Sequence, residues 1–195
     1  KLAFPESSLG LIMPIESLPE DRDDALLLAD TIHLDSMELN LTDTFSGFAG
    51  TLSVAGSSRL ASANIKPRMR MIALYYVANL RNYLVLGTGN LSEITVGYST
   101  KFGDSGADLL PLANCTKGEV MKLAGALGVP QRIIDKPPSA GLWQGQTDEN
   151  EMGILYSQIE AFLKGGDLPD EVRGRISARM DRNKHKTRMP DAFIE

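Results

Sequence analysis

Cysteine, histidine and tryptophan are scarce in this chain, whose 195 residues include one cysteine, two histidines and one tryptophan. With Cys115 alone, no intramolecular disulfide can form, which fits a reducing, cytoplasmic compartment. His33 and His185 lie far apart in the sequence, so a zinc site is not expected. No Ser-His-Asp order and no Walker P-loop can be built either, which argues against those classes of hydrolase and nucleotide-binding site.

Positive charge and long apolar runs are also in short supply. The chain has 20 Lys and Arg against 25 Asp and Glu, a net charge of −5, and a pI of about 5.1. General nucleic-acid binders show the opposite balance. No segment approaches the roughly 20 apolar residues of a membrane span, and no signal peptide is visible. We therefore expect neither nucleic acid nor a membrane as a partner.

Short apolar runs alternate with helical periodicity along the chain. Strands are predicted at Leu9 to Ile15, His33 to Leu41 and Tyr83 to Leu86, and helices at Ser17 to Ile32, Thr42 to Leu52, Asn64 to Leu80, Lys117 to Leu127, Glu149 to Leu163 and Pro169 to Asn183. Ser17 is predicted to cap the first helix, and Thr42 or Asp43 the second. The connections between strands are too long for hairpins. The pattern predicts one α/β domain over residues 1–195, a doubly wound parallel sheet with helices on both faces.

The stretch from Leu84 to Lys117 concentrates the chemistry. The predicted strand ends at Gly87-Thr88-Gly89-Asn90, and ligands of open parallel sheets bind at such carboxyl ends. Thr88 could contact a nucleotide, and Glu93 could hold Mg²⁺, which prefers carboxylate and phosphate oxygens. Lys117, at the head of a helix, would favour a phosphate. The alternatives are a capped helix start with Glu93 in solvent, and an ordinary exposed lysine.

Three further motifs carry candidate residues. KFGDSGAD (Lys101 to Asp108) combines acids, a lysine and glycines without forming an amphipathic element, and its alternative is an acidic turn. The Pro/Gly-rich loop from Lys136 to Asp148 contains Ser139 as its best phosphate contact. Its tryptophan, Trp143, either pins the loop to the core or touches a substrate. His185-Lys186 could pair with an anionic ligand or simply solvate the tail.

Taken in order, these segments resemble the ammonia-dependent NAD synthetases. The resemblance rests on NIKPRMRM (Asn64 to Met71), VLGTGNLSEITVGYSTKFGDSGADLLPLANCTK, KPPSAGLWQGQTDENEMG and NKHK, and it spans nearly the whole chain from LIMP onward. It implies the adenine-nucleotide α-hydrolase-like fold and a cytoplasmic homodimer. It also implies ATP- and Mg²⁺-dependent amidation of deamido-NAD with ammonia, giving NAD, AMP and pyrophosphate through an adenylate.

The resemblance also assigns roles to matching positions. It implies ATP contacts at Thr88, Lys117 and Ser139, a Mg²⁺ ligand at Glu93, and deamido-NAD contacts at Arg68, Lys101, Asp108, His185 and Lys186. For Asp104 our own hypothesis is catalytic: its carboxylate would hold ammonium and help it lose a proton.

One departure from the family pattern stands out. Members carry an SGGxDS phosphate loop after the first strand, and nothing here matches it; Lys1 to Pro5 resembles the segment that follows that loop's helix. We expect that the N-terminal strand and loop are missing from this chain. The alternative is a non-catalytic homologue that binds nucleotide without transferring AMP.

Overall fold

Two short parallel strands begin the fold in the computed structural model, which describes residues 1–141, 143, 145–190 and 192. Strand β1 (Gly10–Ile12) pairs with β2 (Ser36–Glu38), with Leu11 opposite Met37. The connection between them contains helix α1 (Pro19–Thr31). A helix that joins two parallel strands is the unit of parallel α/β folds, so the predicted class is confirmed.

Helices make up most of the remaining described chain. They are α2 (Thr42–Leu52), α3 (Arg59–Ala63), α4 (Ile65–Arg81), α5 (Leu91–Val96), α6 (Lys117–Ala126), α7 (Gln131–Ile134), α8 (Asp148–Met152), α9 (Tyr156–Leu163) and α10 (Asp170–Asn183), with 3-10 turns at Ser53–Ala55 and Lys184–Lys186. The positions of the predicted helices are confirmed to within a few residues. No helix of this described part is long and apolar enough to cross a bilayer.

The segment Tyr83 to Leu86 differs from its prediction as a buried strand. Leu86 forms an isolated parallel bridge with Leu109, and Val85 is buried, but the side chains of Leu84 and Leu86 are 65% and 59% exposed. The backbone N–H of Val85 donates to the Asp108 carboxylate at 2.8 Å instead of to a neighbouring strand. Backbone bonds still join this segment to residues 108–109, from the Gly87 N–H to the Leu109 carbonyl (2.8 Å) and from the Asp108 N–H to the Val85 carbonyl (2.9 Å). The Asp108 side chain takes the place of one further ladder bond, and the prediction of burial is wrong for Leu84 and Leu86.

The predicted caps of the first two helices are also wrong. Leu18 is the N-cap of α1 and Leu41 the N-cap of α2, and neither makes a side-chain cap bond. The hydroxyl of Ser17 accepts the N–H of Ile15 (3.2 Å), and that of Thr42 accepts the N–H of Glu16 (3.2 Å). Both hydroxyls are thus used to fix the loop after β1, a competition that sequence spacing does not reveal.

A hydrophobic cluster joins helices α5, α8, α9 and α10. Its buried members are Val96, Met152, Ile154, Tyr156, Ile159, Val172 and Ile176. Ile159 and Ile176 are fully buried, and each contributes about 1.5–3 kcal/mol to folding by leaving water. The cluster fixes the relative positions of four helices whose ends carry candidate site residues.

Candidate functional site

A cavity of about 800 Å³ opens where the Val85 segment ends, bounded by α4, the loop after α5, the Lys136 loop and α10. Six of the ten predicted site residues lie on its wall: Thr88, Glu93, Asp104, Lys117, Ser139 and Lys186. They come from six separate segments of the chain. The cavity is therefore a feature of the tertiary fold and the natural candidate for the site.

The loop that carries Thr88 requires glycine before it. A Cβ at Gly87 would come within 2.6 Å of the Leu110 side chain and 2.8 Å of Ala107. Only glycine lets the backbone pass this close to the 107–110 segment. Thr88 then lies exposed on the cavity wall, next to the start of α5.

Two capping boxes place Glu93 beside Lys117. In the first, Asn90 accepts the N–H of Glu93 and the Glu93 Oε2 accepts the N–H of Asn90 (3.1 and 3.2 Å); the second caps α6. The two helix starts are joined because the N–H of Lys117 donates to the fully buried Ser92 hydroxyl at 3.1 Å. The Lys117 Nζ therefore lies 3.1 Å from the Glu93 Oε1, and both side chains are only about one-fifth exposed (21% and 18%). The capped helix start of the first alternative is confirmed, with Asn90 as the cap. Glu93 and Lys117 are not solvated surface side chains, however, so that part of the two alternatives is wrong.

Asp104 lies in a turn that its own neighbours hold together. Its Oδ1 accepts the N–H of Thr100 at 2.8 Å, and the Ser105 hydroxyl donates to the Thr100 carbonyl at 3.0 Å. The side chain is exposed at the cavity mouth, yet its carboxylate is partly desolvated by surrounding atoms. This desolvation raises the Asp104 pKa above its usual value, although the hydrogen bonds oppose the shift. A carboxylate of this kind can exchange a proton more readily than a fully solvated one.

Lys186 also lines the cavity, beyond the end of α10. Its Nζ donates to the carbonyls of Gly97 and Ser99 at 2.9 and 2.8 Å. Burial lowers its pKa. Arg179 and Arg182 of α10 also face the cavity, so this part of the cavity is cationic and suited to an anionic substrate.

The other four predicted deamido-NAD contacts lie away from the cavity wall. The exposed Arg68 donates to the Lys101 carbonyl at 3.3 Å, which places these two residues side by side. Asp108 accepts from the Val85 N–H and from the Tyr75 hydroxyl (2.8 and 3.2 Å), so its carboxylate already supports the fold. His185 is exposed in the 3-10 turn. Their assigned roles stay predictions.

Ser139 lies on a loop that is tied to α1 at one end. The Lys136 Nζ is 2.6 Å from Asp21 and 2.9 Å from Asp24. The Ser139 hydroxyl is exposed and accepts the N–H of Gly141 at 3.1 Å. Further along, the Trp143 ring packs under the Arg59 guanidinium (4.6 Å to the ring centre), and residues 142 and 144 of the predicted loop lie outside the described residues. The tryptophan therefore contacts α3 through an exposed arginine, and both alternatives, pinning to the core and contact with a substrate, stay predictions.

A hydroxyl–carboxylate network behind Glu93 was missed from the sequence. Tyr156 donates to the buried Asp148 at 2.8 Å, and the Tyr98 hydroxyl lies between two carboxylates, 3.0 Å from Asp148 and 2.9 Å from Glu151. Burial and the neighbouring carboxylates raise the pKa of both tyrosines. The acidic run TDENE is visible in the sequence, but nothing in its spacing indicates which acid turns inward. Arg70 was missed as a cavity residue too; it donates to the Met13 carbonyl at 3.0 Å, and burial lowers its pKa.

The donor set near Glu93 fits one magnesium ion only if the substrate supplies most ligands. Among the described residues, no group of three or more Asp, Glu, His and Cys side chains could hold a metal. Mg²⁺ is commonly bound by one or two carboxylates together with phosphate oxygens and water. Glu93, on the cavity wall beside a phosphate-seeking lysine, matches that mode.

Comparisons with known proteins agree with this geometry. The family model described as NAD synthase matches residues 1–190. The chain is 47% identical to the NH(3)-dependent NAD(+) synthetase of Carboxydothermus hydrogenoformans, covering 98% of this chain and 80% of the relative. It is 46% identical to that of Syntrophomonas wolfei, with 97% and 78% covered.

Two solved structures show the same α/β fold. The NMN synthetase of Francisella tularensis superimposes with a TM-score of 0.91 at 37% identity, covering 94% of this chain and 77% of that one. The NH3-dependent NAD synthetase of Campylobacter jejuni, in complex with nitrate, gives 0.80 at 27% identity, with 100% and 81% covered. The predicted fold class is therefore confirmed by these two structures as well as by the strands described above.

Proposed function

Because the chain belongs to the NAD synthase family, and is therefore a ligase that forms NAD with ammonia, we propose that its main cavity is where ATP activates the substrate carboxylate. The observation that carries this proposal is that Thr88, Glu93, Lys117 and Ser139 all line the same cavity. These are the residues assigned to ATP and its metal, and the fold brings them together from distant parts of the sequence.

The chemistry answers a simple problem. A carboxylate is a poor electrophile, because its negative charge repels a nucleophile and oxide is a poor leaving group. Its oxygen attacks the α-phosphorus of ATP, and pyrophosphate leaves. The resulting acyl adenylate is attacked by ammonia, and AMP departs with the oxygen as the amide forms. Positioning and charge neutralisation by the surrounding side chains would provide most of the catalysis.

On this proposal, Lys117 neutralises an ATP phosphate, and Thr88 and Ser139 donate hydroxyl hydrogen bonds to the nucleotide. Glu93 would hold Mg²⁺ together with phosphate oxygens. When bound, that ion would spread the charge of the departing pyrophosphate. Lys117 lies within reach of the same carboxylate, so one carboxylate would organise both cations around the phosphates.

Asp104 is the proposed ammonium residue. Its carboxylate faces the cavity, and its raised pKa brings it closer to the role of proton acceptor. Lys186, on the same cavity, would meet the acidic substrate. An ammonium held at Asp104 loses its proton there and attacks the adenylate as neutral ammonia.

For deamido-NAD, the cavity is only part of the site. Arg68 and Lys101 lie side by side outside it, and His185 is exposed beyond α10. An extended dinucleotide would place its nicotinate end in the cavity and its other half toward these residues. The separation of the assigned residues supports a long substrate.

A second substrate is favoured by one observation, the TM-score of 0.91 to the NMN synthetase of Francisella tularensis. A nicotinate mononucleotide lacks the adenylate half, so it would use Lys186 and the cavity without reaching Arg68 or Lys101. Comparing kcat/KM for the two acids distinguishes the candidates. Arg68→Ala should lower kcat/KM only for deamido-NAD.

We also propose a homodimer formed through α4. Ile72, Tyr76 and Leu80 recur every four residues on one helix face and are 63%, 66% and 68% exposed. Arg68 lies one turn before this stripe, so a second copy packed there would approach the assigned deamido-NAD contact. Tyr76→Glu should convert a dimer to a monomer in light scattering, whereas Glu171→Gln, on α10, should not. A native monomer would contradict this interface.

Cytoplasmic location stays a prediction, which fractionation of cells would test.

The function is tested by incubating the purified protein with ATP, Mg²⁺, ammonium and each acid, and measuring AMP and the amide product. We expect equal amounts of AMP and NAD from deamido-NAD. The absence of both products would overturn the ligase and leave a nucleotide-binding homologue.

A further inference from the structure

Asp148 is a buried acid held between two tyrosines. The residue is 4% exposed; its Oδ1 is 3.0 Å from the Tyr98 hydroxyl and its Oδ2 is 2.8 Å from the Tyr156 hydroxyl. Its backbone N–H donates to the Pro138 carbonyl at 2.9 Å, next to Ser139. One residue therefore contacts the Ser139 loop and two tyrosines near the cavity.

The Tyr156 hydroxyl has a choice of acceptors. It carries one hydrogen but lies near two carboxylates, 2.8 Å from Asp148 Oδ2 and 3.3 Å from Glu93 Oε1. The shorter contact takes the hydrogen, since hydrogen bonds weaken with distance. The Glu93 Oε1 is then left to Lys117, 3.1 Å away, and the Lys117 Nζ also lies 5.1 Å from the centre of the Tyr156 ring.

We propose that Asp148 is a positioning residue for the ligase reaction. By accepting the Tyr156 hydrogen, it keeps Glu93 Oε1 available as an anionic oxygen for Lys117 and the metal-bound ATP. Asp148 itself does not touch substrate in this role; it acts through Tyr156. The inference rests on the proposed function, because it takes Glu93 and Lys117 as the ATP-binding pair.

The consequence of neutralising Asp148 follows from the strengths of the two competing bonds. A hydroxyl bond to a carboxylate is about twice as strong as one to a neutral acceptor. With Asn at position 148, Glu93 becomes the only charged acceptor near the Tyr156 hydroxyl in the part of the chain that the structure describes. The hydroxyl would turn toward it and occupy the oxygen that Lys117 and the metal need.

The test is a calorimetric equilibrium titration of the protein with ATP at saturating Mg²⁺, so that the readout does not depend on turnover. Asp148→Asn should weaken MgATP binding by about tenfold, the size expected when a charged hydrogen bond is misdirected. Tyr156→Phe should bind MgATP within about twofold of the native protein, because it has no hydroxyl to misdirect. The double variant should recover the affinity of Tyr156→Phe. If Asp148 merely supports the fold, removing the Tyr156 hydroxyl as well should not restore MgATP affinity.

Glu149→Gln is the matched control. Glu149 neighbours Asp148 and accepts the backbone N–H of Tyr156 at 2.8 Å, so it contacts the same tyrosine but not its hydroxyl. Its loss should lower the melting temperature without changing MgATP affinity. Melting curves of all variants confirm that the titrated protein is folded.

Three results would overturn the role of Asp148. Native affinity in Asp148→Asn, or a double variant as weak as Asp148→Asn, shows that the tyrosine hydrogen does not control Glu93. If Asp148→Asn does not fold, the role of Asp148 is tested by Tyr156→Phe alone. A large loss of MgATP affinity in Tyr156→Phe shows that the hydroxyl itself is needed for binding, which contradicts the role. These three results overturn only the role of Asp148, whereas a native protein that binds no MgATP overturns the proposed function on which the role rests.

Discussion

Glu93 and Glu119 hold the same position in two capping boxes, and this makes them a matched pair for mutation. Each carboxylate accepts the N–H of its own cap residue, Asn90 at 3.2 Å and Thr116 at 2.8 Å. Only Glu93 also meets Lys117 on the cavity wall. Glu93→Gln and Glu119→Gln therefore disturb the same helix-capping contact, and the difference between them isolates the lysine contact.

The expected difference can be worked from that contact. A hydrogen bond to a charged group contributes about 1.5–3 kcal/mol net, and the Glu93–Lys117 pair is short and only about one-fifth exposed. A glutamine oxygen keeps roughly half of this, since a neutral acceptor is about half as strong. Glu93→Gln should therefore lose about 1 kcal/mol beyond the shared capping effect, or roughly 2–4 °C in melting temperature for a chain of this size.

The assay combines calorimetric melting with the Mg²⁺ dependence of NAD formation. Loss of the anionic oxygen should raise the Mg²⁺ concentration for half-maximal rate by on the order of tenfold, equivalent to about 1.4 kcal/mol. Glu119→Gln should leave the Mg²⁺ dependence unchanged. Equal destabilisation by the two changes would refute the lysine contact, and an unchanged Mg²⁺ dependence in Glu93→Gln would refute its metal role.

Three other substitutions test the site and its frame. Asp104→Asn should reduce turnover at low ammonium, and full turnover there would contradict its role. Desolvation raises the pKa of the Asp104 carboxyl in the folded protein, so its ionisation destabilises the fold as pH rises above the ordinary aspartate range. The variant should therefore melt at a higher temperature than the native protein at pH 7 but not at pH 3. Lys136→Met should raise KM for ATP with little change in kcat, since the loop loses its ion pairs to α1. Lys136→Arg, which keeps the charge, should not raise KM. Equal KM values in Lys136→Met and the native protein would show that these ion pairs do not position Ser139. Gly97→Ala should cost about 2–4 kcal/mol in chemical denaturation, since φ is +61° and the new Cβ would overlap the Asn183 side chain. Gly153→Ala, with φ +65° and open space, should cost only about 1 kcal/mol, and similar losses in the two would mean that Asn183 can move away.

Local sequence was sufficient where one segment determines the structure. The apolar repeat from Ile65 to Leu80 predicts α4 because a helix needs only its period, even though Ile72, Tyr76 and Leu80 of that repeat are exposed. Asn90 three residues before Glu93 forms its box from atoms of the same turn. Such features depend on neighbours within four residues, so sequence spacing specifies them.

Spacing failed where a side chain has two possible partners. Ser17 and Thr42 are good capping residues, yet both bond to the loop after β1, which becomes available only when β1, α1 and α2 have packed. Asp108 also has a partner that its Gly-rich turn does not indicate: its carboxylate accepts the N–H of Val85, 23 residues earlier, while its assigned deamido-NAD contact stays a prediction. A one-dimensional pattern cannot rank these competing acceptors, because the competition is settled by tertiary distance.

The Asp148 network shows the same limit at the site itself. Tyr98, Asp148 and Tyr156 come from the loop after α5, the start of α8 and the start of α9, and no fixed spacing relates them. Exposed charged residues on glycine-rich turns were found because their composition is unusual for scaffold. Asp148 was missed because, in sequence, it is one acid among several at a helix start. Its burial brings it close enough to Tyr156 to determine which carboxylate receives the hydroxyl hydrogen. Candidate nucleotide contacts can therefore be proposed from sequence, whereas the proposed positioning residue, Asp148, is identifiable only from the packing.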